Sequence, residues 1–101
     1  PFSLTASLNL LLMVVIGAPV VEELMYRGLL QRSLGRVVGV AGAFVLTSLW
    51  FALVHFVPVE YPGLLAAGLV FGGCLVATGG LGPSILAHAA LNATGIAFAL
   101  A

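Results

Sequence analysis

The sequence lacks lysine and aspartate, and its 101 residues include only three arginines, three glutamates and two histidines. Charged residues make up 6% of the chain, whereas hydrophobic residues make up 62%. A soluble domain cannot cover its surface with so few polar groups. The zero net charge and the absence of a basic run argue against a nucleic-acid partner. A single cysteine, Cys74, excludes both a disulfide framework and a thiolate metal site.

The apolar runs that fill the chain predict membrane helices. There is room for about four helices of roughly 20 residues each, so the expected fold is all-α, a polytopic membrane helix bundle. We expect residues 1–101 to form a single domain. The chain begins at Pro1 and its first apolar stretch lacks the basic flank of a signal peptide. We therefore expect a domain cut from a longer polytopic membrane protein.

Proline and glycine divide the chain into four predicted helices. We expect three connections, at residues 35–39, 58–62 and 79–83, with proline or glycine in each. Pro19 is expected either to kink the first helix or to start a new one. Gly68 and Gly72 form a GxxxG pair, which is typical of close helix packing in lipid. The predicted helices cover residues 4–34, 40–56, 63–78 and 83–101.

Three of the six charged residues lie between Pro19 and Arg27, inside the apolar sequence. Each such charge costs roughly 2.5 to 3.5 kcal/mol at mid-membrane depth, so the charges must be paired. Glu23 and Arg27 stand at i, i+4, the spacing at which opposite charges meet on a helix. Glu22 is left over, with Tyr26 as a possible hydrogen-bond neighbour, and is a candidate general acid or base. The alternative is a structural ion pair at a helix end.

Two histidines on other helices are candidate partners of Glu22. If the first connection is centred near Val38, Glu22 and His55 lie at similar distances before and after it. In an antiparallel hairpin they come level, roughly 25 Å from the turn. Straight helices leave His88 on the order of 10 Å from that level, so tilt, a kink at Pro83 or a shortened third helix must supply the difference. Asn92 follows His88 at i+4.

Three motifs in this order resemble the signatures of a known family. They are Glu22-Glu23-x-x-x-Arg27, Phe51-x-x-x-His55 and His88-x-x-x-Asn92. Together they are similar to the motifs of the CPBP family, which joins CAAX-type prenyl endopeptidases with bacteriocin-processing, bacteriocin-immunity and abortive-infection proteins. The resemblance covers nearly the whole chain, from about residue 19 to residue 101.

This resemblance implies hydrolysis of a peptide bond within the membrane by an activated water. Glu22 and His55 would bind and deprotonate that water. His88 and Asn92 would stabilise the oxyanion. The remaining motif residues would support them, since Glu23 and Arg27 would hold Glu22 and its helix in place. Phe51 would line the pocket wall.

The cofactor stays open at this point. Glu22, His55 and His88 would make a reasonable three-ligand zinc site with an open fourth position. A metal-free glutamate mechanism uses the same residues. The chain lacks the HExxH pair that would predict zinc from sequence alone, which slightly favours the metal-free version.

The expected partners are membrane lipid and a peptide or protein substrate, either prenylated or of the leader or bacteriocin type. Many small residues and the lack of lysine favour a prokaryotic plasma membrane as the location.

A non-catalytic membrane adaptor, chaperone or bacteriocin-immunity protein of the same fold is the alternative function. A third class is a small transporter, or a haem or ion site, that uses His55 and His88.

Overall fold

A computed structural model describes residues 2–101, which form helices joined by short turns and contain no strand. The predicted all-α class is therefore confirmed. Two π-helical segments, Met13–Gly17 and Leu24–Gln31, join the first three helices without a break. The 3₁₀ turn Pro58–Glu60 precedes the fourth helix. The α-helices are α1 (Leu4–Leu12), α2 (Ala18–Glu23), α3 (Arg32–Leu53), α4 (Tyr61–Thr78) and α5 (Gly82–Leu100).

Three helical runs are long and apolar enough to cross a membrane: Leu4–Leu53, Pro58–Thr78 and Gly82–Leu100. The first of them has 50 residues, which corresponds to about 75 Å of straight helix. A bilayer core is only about 30 Å thick. This run must therefore change direction within its length.

The reversal occurs at Gly39, whose backbone angles are φ 84° and ψ 167°. Glycine reaches this conformation readily because it has no Cβ. The rings of Tyr26 and Phe51 lie only 5.3 Å apart, whereas a straight helix would separate them by roughly 37 Å. Residues 4–38 and 40–53, hereafter the first arm and the second arm, therefore run antiparallel. With α4 and α5 they make the expected bundle of about four helices.

The helix boundaries differ from the predicted ones near the turns. The first arm remains helical to residue 38, so the connection predicted at residues 35–39 shrinks to Gly39 alone. The second arm ends at Leu53 rather than at residue 56. Helix α4 starts at Tyr61, which places Pro62 in its first turn, where a missing backbone N–H costs nothing.

Pro19 does not break the first arm. It is buried in the first turn of α2, directly after the π-helical segment Met13–Gly17. A proline inside a helix removes one hydrogen bond, and its ring crowds the carbonyl four residues earlier. The wider turn of a π-helix gives that carbonyl room. The chain consequently stays helical through Pro19.

The first arm and α4 run parallel, in contact through two glycines. Arg27 Nη2 donates to the carbonyl oxygen of Gly68 at 2.8 Å, and Gln31 Nε2 donates to that of Gly72 at 3.3 Å. A Cβ on Gly68 would lie 3.2 Å from the carbonyl oxygen of Ser48 on the second arm. The GxxxG pair is therefore a close-packing site, as predicted, and it also exposes carbonyl oxygens as acceptors.

The interior of the bundle is polar and its exterior is apolar. Glu23, Arg27, Thr47, Ser48 and Ser84 are fully buried, whereas large apolar residues face outward along every helix. This distribution is the reverse of that in a soluble protein. In lipid, apolar burial gives helices no reason to associate, so small residues and hydrogen bonds hold them together. The distribution of side chains thus fits an integral membrane protein.

The close approach at Gly68 yields a stability prediction. We expect Gly68→Ala to lower the melting temperature in detergent micelles, because the added methyl group meets the backbone of Ser48 and the buried ring of Phe51. The cost of such overpacking is about 1–3 kcal/mol. Gly73→Ala is the matched control, since its Cβ would lie 4.0 Å from the nearest atom, Phe44 Cε1. Equal melting temperatures for the two variants would contradict the prediction.

Candidate active site

A buried ion pair lies at the centre of the bundle. Arg27 Nη1 is 3.3 Å from Glu23 Oε2, and both side chains are 0% exposed. The guanidinium carbon also lies 5.0 Å from the ring centroid of Phe51 and 5.5 Å from that of Phe71. Contacts of this kind attract a cation to the face of an aromatic ring. The predicted Glu23–Arg27 pairing is therefore confirmed, although the pair is enclosed by other helices rather than placed at a helix end.

His88 on α5 connects the two adjacent glutamates. Its Nδ1 is 2.8 Å from Glu23 Oε2, and its Nε2 is 3.2 Å from Glu22 Oε2. Because carboxylate oxygens only accept hydrogen bonds, each contact requires a proton between the ring nitrogen and the oxygen. Ionised forms of Glu22, Glu23, Arg27 and His88 together carry no net charge. The cluster can thus be neutral as a whole in apolar surroundings.

The aromatic residues around His88 fix the plane of its ring. Phe71 on α4 stacks on the imidazole with a centroid distance of 4.5 Å and an interplanar angle of 13°. Ser84, one turn earlier on α5, donates to the carbonyl oxygen of Phe71 at 2.8 Å. These two contacts tie α5 to α4 at the level of the cluster.

Straight helices would leave His88 on the order of 10 Å from the level of Glu22, so tilt, a kink at Pro83 or a shortened third helix was expected to supply the difference. The structure brings the two side chains into contact. The reason is that Arg32 Nη2 donates to the carbonyl oxygen of Gly79 at 3.0 Å. The turn between α4 and α5 therefore lies level with Arg32 instead of with Gly39. Glu23 precedes Arg32 by as many residues as His88 follows Gly79, so the two meet.

Glu22 and Glu23 differ sharply in their access to solvent. The side chain of Glu22 is 39% exposed, whereas that of Glu23 is 0% exposed. Glu22 lies on the wall of a cavity of about 510 Å³, whose other walls come from apolar residues of the first arm, among them Met13, Gly17 and Val21. Glu22 is therefore accessible from outside the bundle, whereas Glu23 is not.

His55 lies in the turn that follows the second arm and is exposed. Its Nδ1 is 2.6 Å from the carbonyl oxygen of Phe51. A carbonyl oxygen can only accept, so Nδ1 carries the hydrogen and Nε2 of the neutral ring keeps its lone pair. The contact with Phe51 thus leaves one nitrogen of His55 able to accept a proton.

Phe51 lies between the two histidines. Its ring centroid is 5.0 Å from that of His55 and 6.0 Å from that of His88, and its side chain is buried. Tyr26 contacts the same ring edge-to-face. Phe51 therefore separates the exposed His55 from the buried ion pair, a position compatible with its predicted role as a pocket wall.

Asn92 and His88 do not share a hydrogen-bond acceptor. Its amide Nδ2 donates to the carbonyl oxygen of Val14 at 2.9 Å, in the first π-helical segment. Asn92 thus ties α5 to the first arm beside the cavity that Glu22 lines. The oxyanion role of His88 and Asn92 stays a prediction, since both side chains have other partners in this geometry.

The side chains do not fit the zinc site that the sequence left open. Within residues 2–101, no three His, Cys, Asp or Glu side chains are grouped closely enough to hold a metal ion. Both ring nitrogens of His88 face carboxylates, which leaves neither lone pair free for coordination. Glu22, His55 and His88 therefore do not form a three-ligand set in this arrangement, and we derive no chemical step through a metal.

Comparison with known families accounts for these motifs. Residues 4–94 match the family model described as type II CAAX prenyl endopeptidase Rce1-like, and this span contains all seven motif residues. The chain belongs to this CPBP family. The resemblance inferred from the three motifs is thereby confirmed for the domain as a whole. No curated protein and no solved structure is significantly similar to the chain.

Three residues that support the site in this Rce1-like domain were missed by motif reasoning: Gln31, Phe71 and Ser84. A signal for Gln31 exists, because Arg27 and Gln31 have the same spacing as Gly68 and Gly72. Two polar side chains one turn apart match two glycine carbonyls one turn apart. Phe71 and Ser84 gave no such signal, since a phenylalanine or a serine on an apolar helix is most often a packing residue.

The buried ion pair of the Rce1-like domain yields the second prediction. We expect Arg27→Gln to destabilise the protein by about 3–5 kcal/mol, because Glu23 would remain buried without its cation. The Glu23→Gln/Arg27→Gln double variant should recover part of this loss, since it buries no uncompensated charge. Chemical denaturation in detergent micelles measures the free energy of unfolding of the double variant and of the two single variants. If the double variant loses as much stability as the two single variants together, the pair is not coupled.

Proposed function

We propose that this Rce1-like domain is an intramembrane endopeptidase that hydrolyses a peptide bond with a water activated by Glu22 and His55. The observation that carries the proposal is the difference between the two adjacent carboxylates. Arg27 neutralises Glu23 in a fully buried position, whereas Glu22 is 39% exposed beside an apolar cavity. Glu22 is therefore the carboxylate that can act on a substrate.

The first step is removal of a proton from the water. Glu22 accepts this proton, while Nε2 of His55 accepts a hydrogen bond from the same water and orients it. The resulting hydroxide adds to the carbonyl carbon of the substrate, and the carbonyl oxygen takes the negative charge. The proton on Glu22 then passes to the leaving nitrogen as the C–N bond breaks.

The contact between His88 and Glu22 supports a way to stabilise the oxyanion. The Nε2–Glu22 distance of 3.2 Å is longer than the Nδ1–Glu23 distance of 2.8 Å. When Glu22 takes the proton it loses its charge, so its attraction for Nε2–H weakens. That N–H is then free to donate to the developing oxyanion, together with the second amide hydrogen of Asn92. Glu23 keeps the ring in place throughout.

The substrate is proposed from the chemistry of the cavity beside Glu22. Its walls are almost entirely apolar and open to the lipid-facing side of the first arm. A peptide with an apolar segment or a prenyl group next to the scissile bond fits such walls. Prenylated CAAX-type peptides, leader peptides and bacteriocin precursors all meet this requirement. We propose a prokaryotic plasma membrane as the location, from the lysine-free, glycine-rich composition.

A second candidate function is a non-catalytic adaptor or immunity protein of the same fold. One observation favours it: His88 and Asn92 already have hydrogen-bond partners within the chain. Such a protein would bind a partner peptide in the cavity and release it uncut. Under this alternative, Glu22 contributes to binding but not to turnover.

A cleavage assay distinguishes the two functions. The full-length protein in detergent micelles is incubated with a quenched-fluorescent peptide library, beside Glu22→Gln and His55→Ala. We expect each variant to lower the cleavage rate by about 10²–10⁴-fold, the contribution typical of a general base. Glu60→Gln is the matched control, because Glu60 is the third glutamate, is exposed and makes no ion pair among the described residues. It should cleave at the wild-type rate.

Circular dichroism on the same samples checks that the variants remain folded. Glu22 is part-exposed and His55 is exposed, so neither change leaves a large buried void. Cleavage that persists in folded Glu22→Gln would contradict the proposed role of Glu22. Absence of cleavage by wild-type protein across the library, with a peptide still bound, would support the adaptor.

A further inference from the structure

A second cavity lies at the end of the bundle next to Gly39, away from Glu22. Its volume is about 430 Å³, and it lies between the first arm, the second arm and α4. The walls include the apolar residues Val40, Ala43, Leu75 and Val76, while Arg32 and Arg36 stand together on one side. The proposed proteolysis uses none of these residues.

The two arginines have no countercharge within residues 2–101. The described ion pairs involve only Glu22, Glu23, Arg27 and His88. Glu60 precedes α4, whereas Arg32 is bonded to Gly79 at the other end of that helix. An 18-residue helix separates them by about 27 Å. Arg32 and Arg36 stand at i, i+4, a spacing at which like charges repel, so an anion between them would relieve that repulsion.

The depth of the arginines points to the lipid headgroups. Arg36 lies roughly 20 Å along the first arm from Glu22, which exceeds the half-thickness of about 15 Å of a bilayer core. A catalytic cluster at the midplane of the bilayer thus places Arg36 at the membrane surface.

We propose that Arg32 and Arg36 bind the phosphate of an anionic phospholipid, whose acyl chains lie against the apolar walls of this cavity. Guanidinium groups match the oxygens of a phosphate with paired N–H donors. Arg32 donates one N–H to Gly79, which holds its side chain at the cavity and leaves its other donors free. A zwitterionic lipid is a poorer ligand, because its cationic group would face two further cations.

Native mass spectrometry of the full-length protein tests the proposal. Detergent-solubilised protein is titrated with phosphatidylglycerol and, separately, with phosphatidylcholine of the same acyl chains. We expect tighter binding of phosphatidylglycerol by wild-type protein, and a loss of about fivefold in its affinity in Arg36→Gln. Arg36 is exposed and makes no hydrogen bond among the described residues, so this variant keeps the helix contacts. Ser33→Gln, an exposed change on the same turn that keeps both arginines, should bind like wild type.

Three results would overturn the proposal. The first is equal affinity of wild-type protein for the two lipids, a comparison that needs no variant. The second is unchanged phosphatidylglycerol binding in Arg36→Gln. The third is displacement of phosphatidylglycerol by inorganic phosphate at an equal concentration, which would identify a site for a soluble anion. None of these results affects the outcome expected in the cleavage assay, since Arg32 and Arg36 take no part in the proposed chemistry.

Discussion

The buried pair of Glu23 and Arg27 is the interaction on which the rest of the bundle depends. Two charges fully removed from water need further partners for the polar groups that the ion pair leaves over. Arg27 finds the Gly68 carbonyl on α4 and the faces of Phe51 and Phe71, while Glu23 accepts from His88 on α5. These contacts draw the second arm, α4 and α5 around the first arm, although Glu23 Oε1 and Arg27 Nε have no hydrogen-bond partner within residues 2–101. The absence of a hydrophobic driving force between helices in lipid makes these polar contacts decisive.

Local backbone features allow this arrangement. Gly68 has no side chain where α4 approaches Ser48, so its carbonyl can come within reach of Arg27. The segment that carries Arg27 is π-helical, and a π-helix has a wider turn than an α-helix. Such segments frequently occur at functional sites. Here the π-helical turn follows directly after Glu22 and Glu23, at the point where three other helices supply partners.

Much of this could be predicted from the sequence, and the failures have identifiable causes. The hairpin and the Glu23–Arg27 pair follow from spacing within one chain segment, where helix geometry is reliable. The position of His88 does not follow from spacing. It depends on the Arg32–Gly79 hydrogen bond, a contact between distant segments that sets the level of the last turn. The partner of Asn92, the Val14 carbonyl, could not be predicted either, since a backbone acceptor carries no signal in the side-chain sequence.

Glu22 and Glu23 are neighbours in sequence but lie in two different environments. Consecutive residues on a helix point in directions about 100° apart. Glu23 therefore faces Arg27 inside the bundle, whereas Glu22 faces the edge of α5 and the lipid-side cavity. His88 contacts both glutamates, so a change in the charge of Glu22 alters its attraction for a ring that Glu23 holds in place. In the proposed mechanism, Glu23 is paired with Arg27 and keeps its contact with Nδ1 while the ring releases Glu22. The proposal therefore assigns to two carboxylates what a single glutamate could not do, which is to anchor the histidine and also accept the proton of a water.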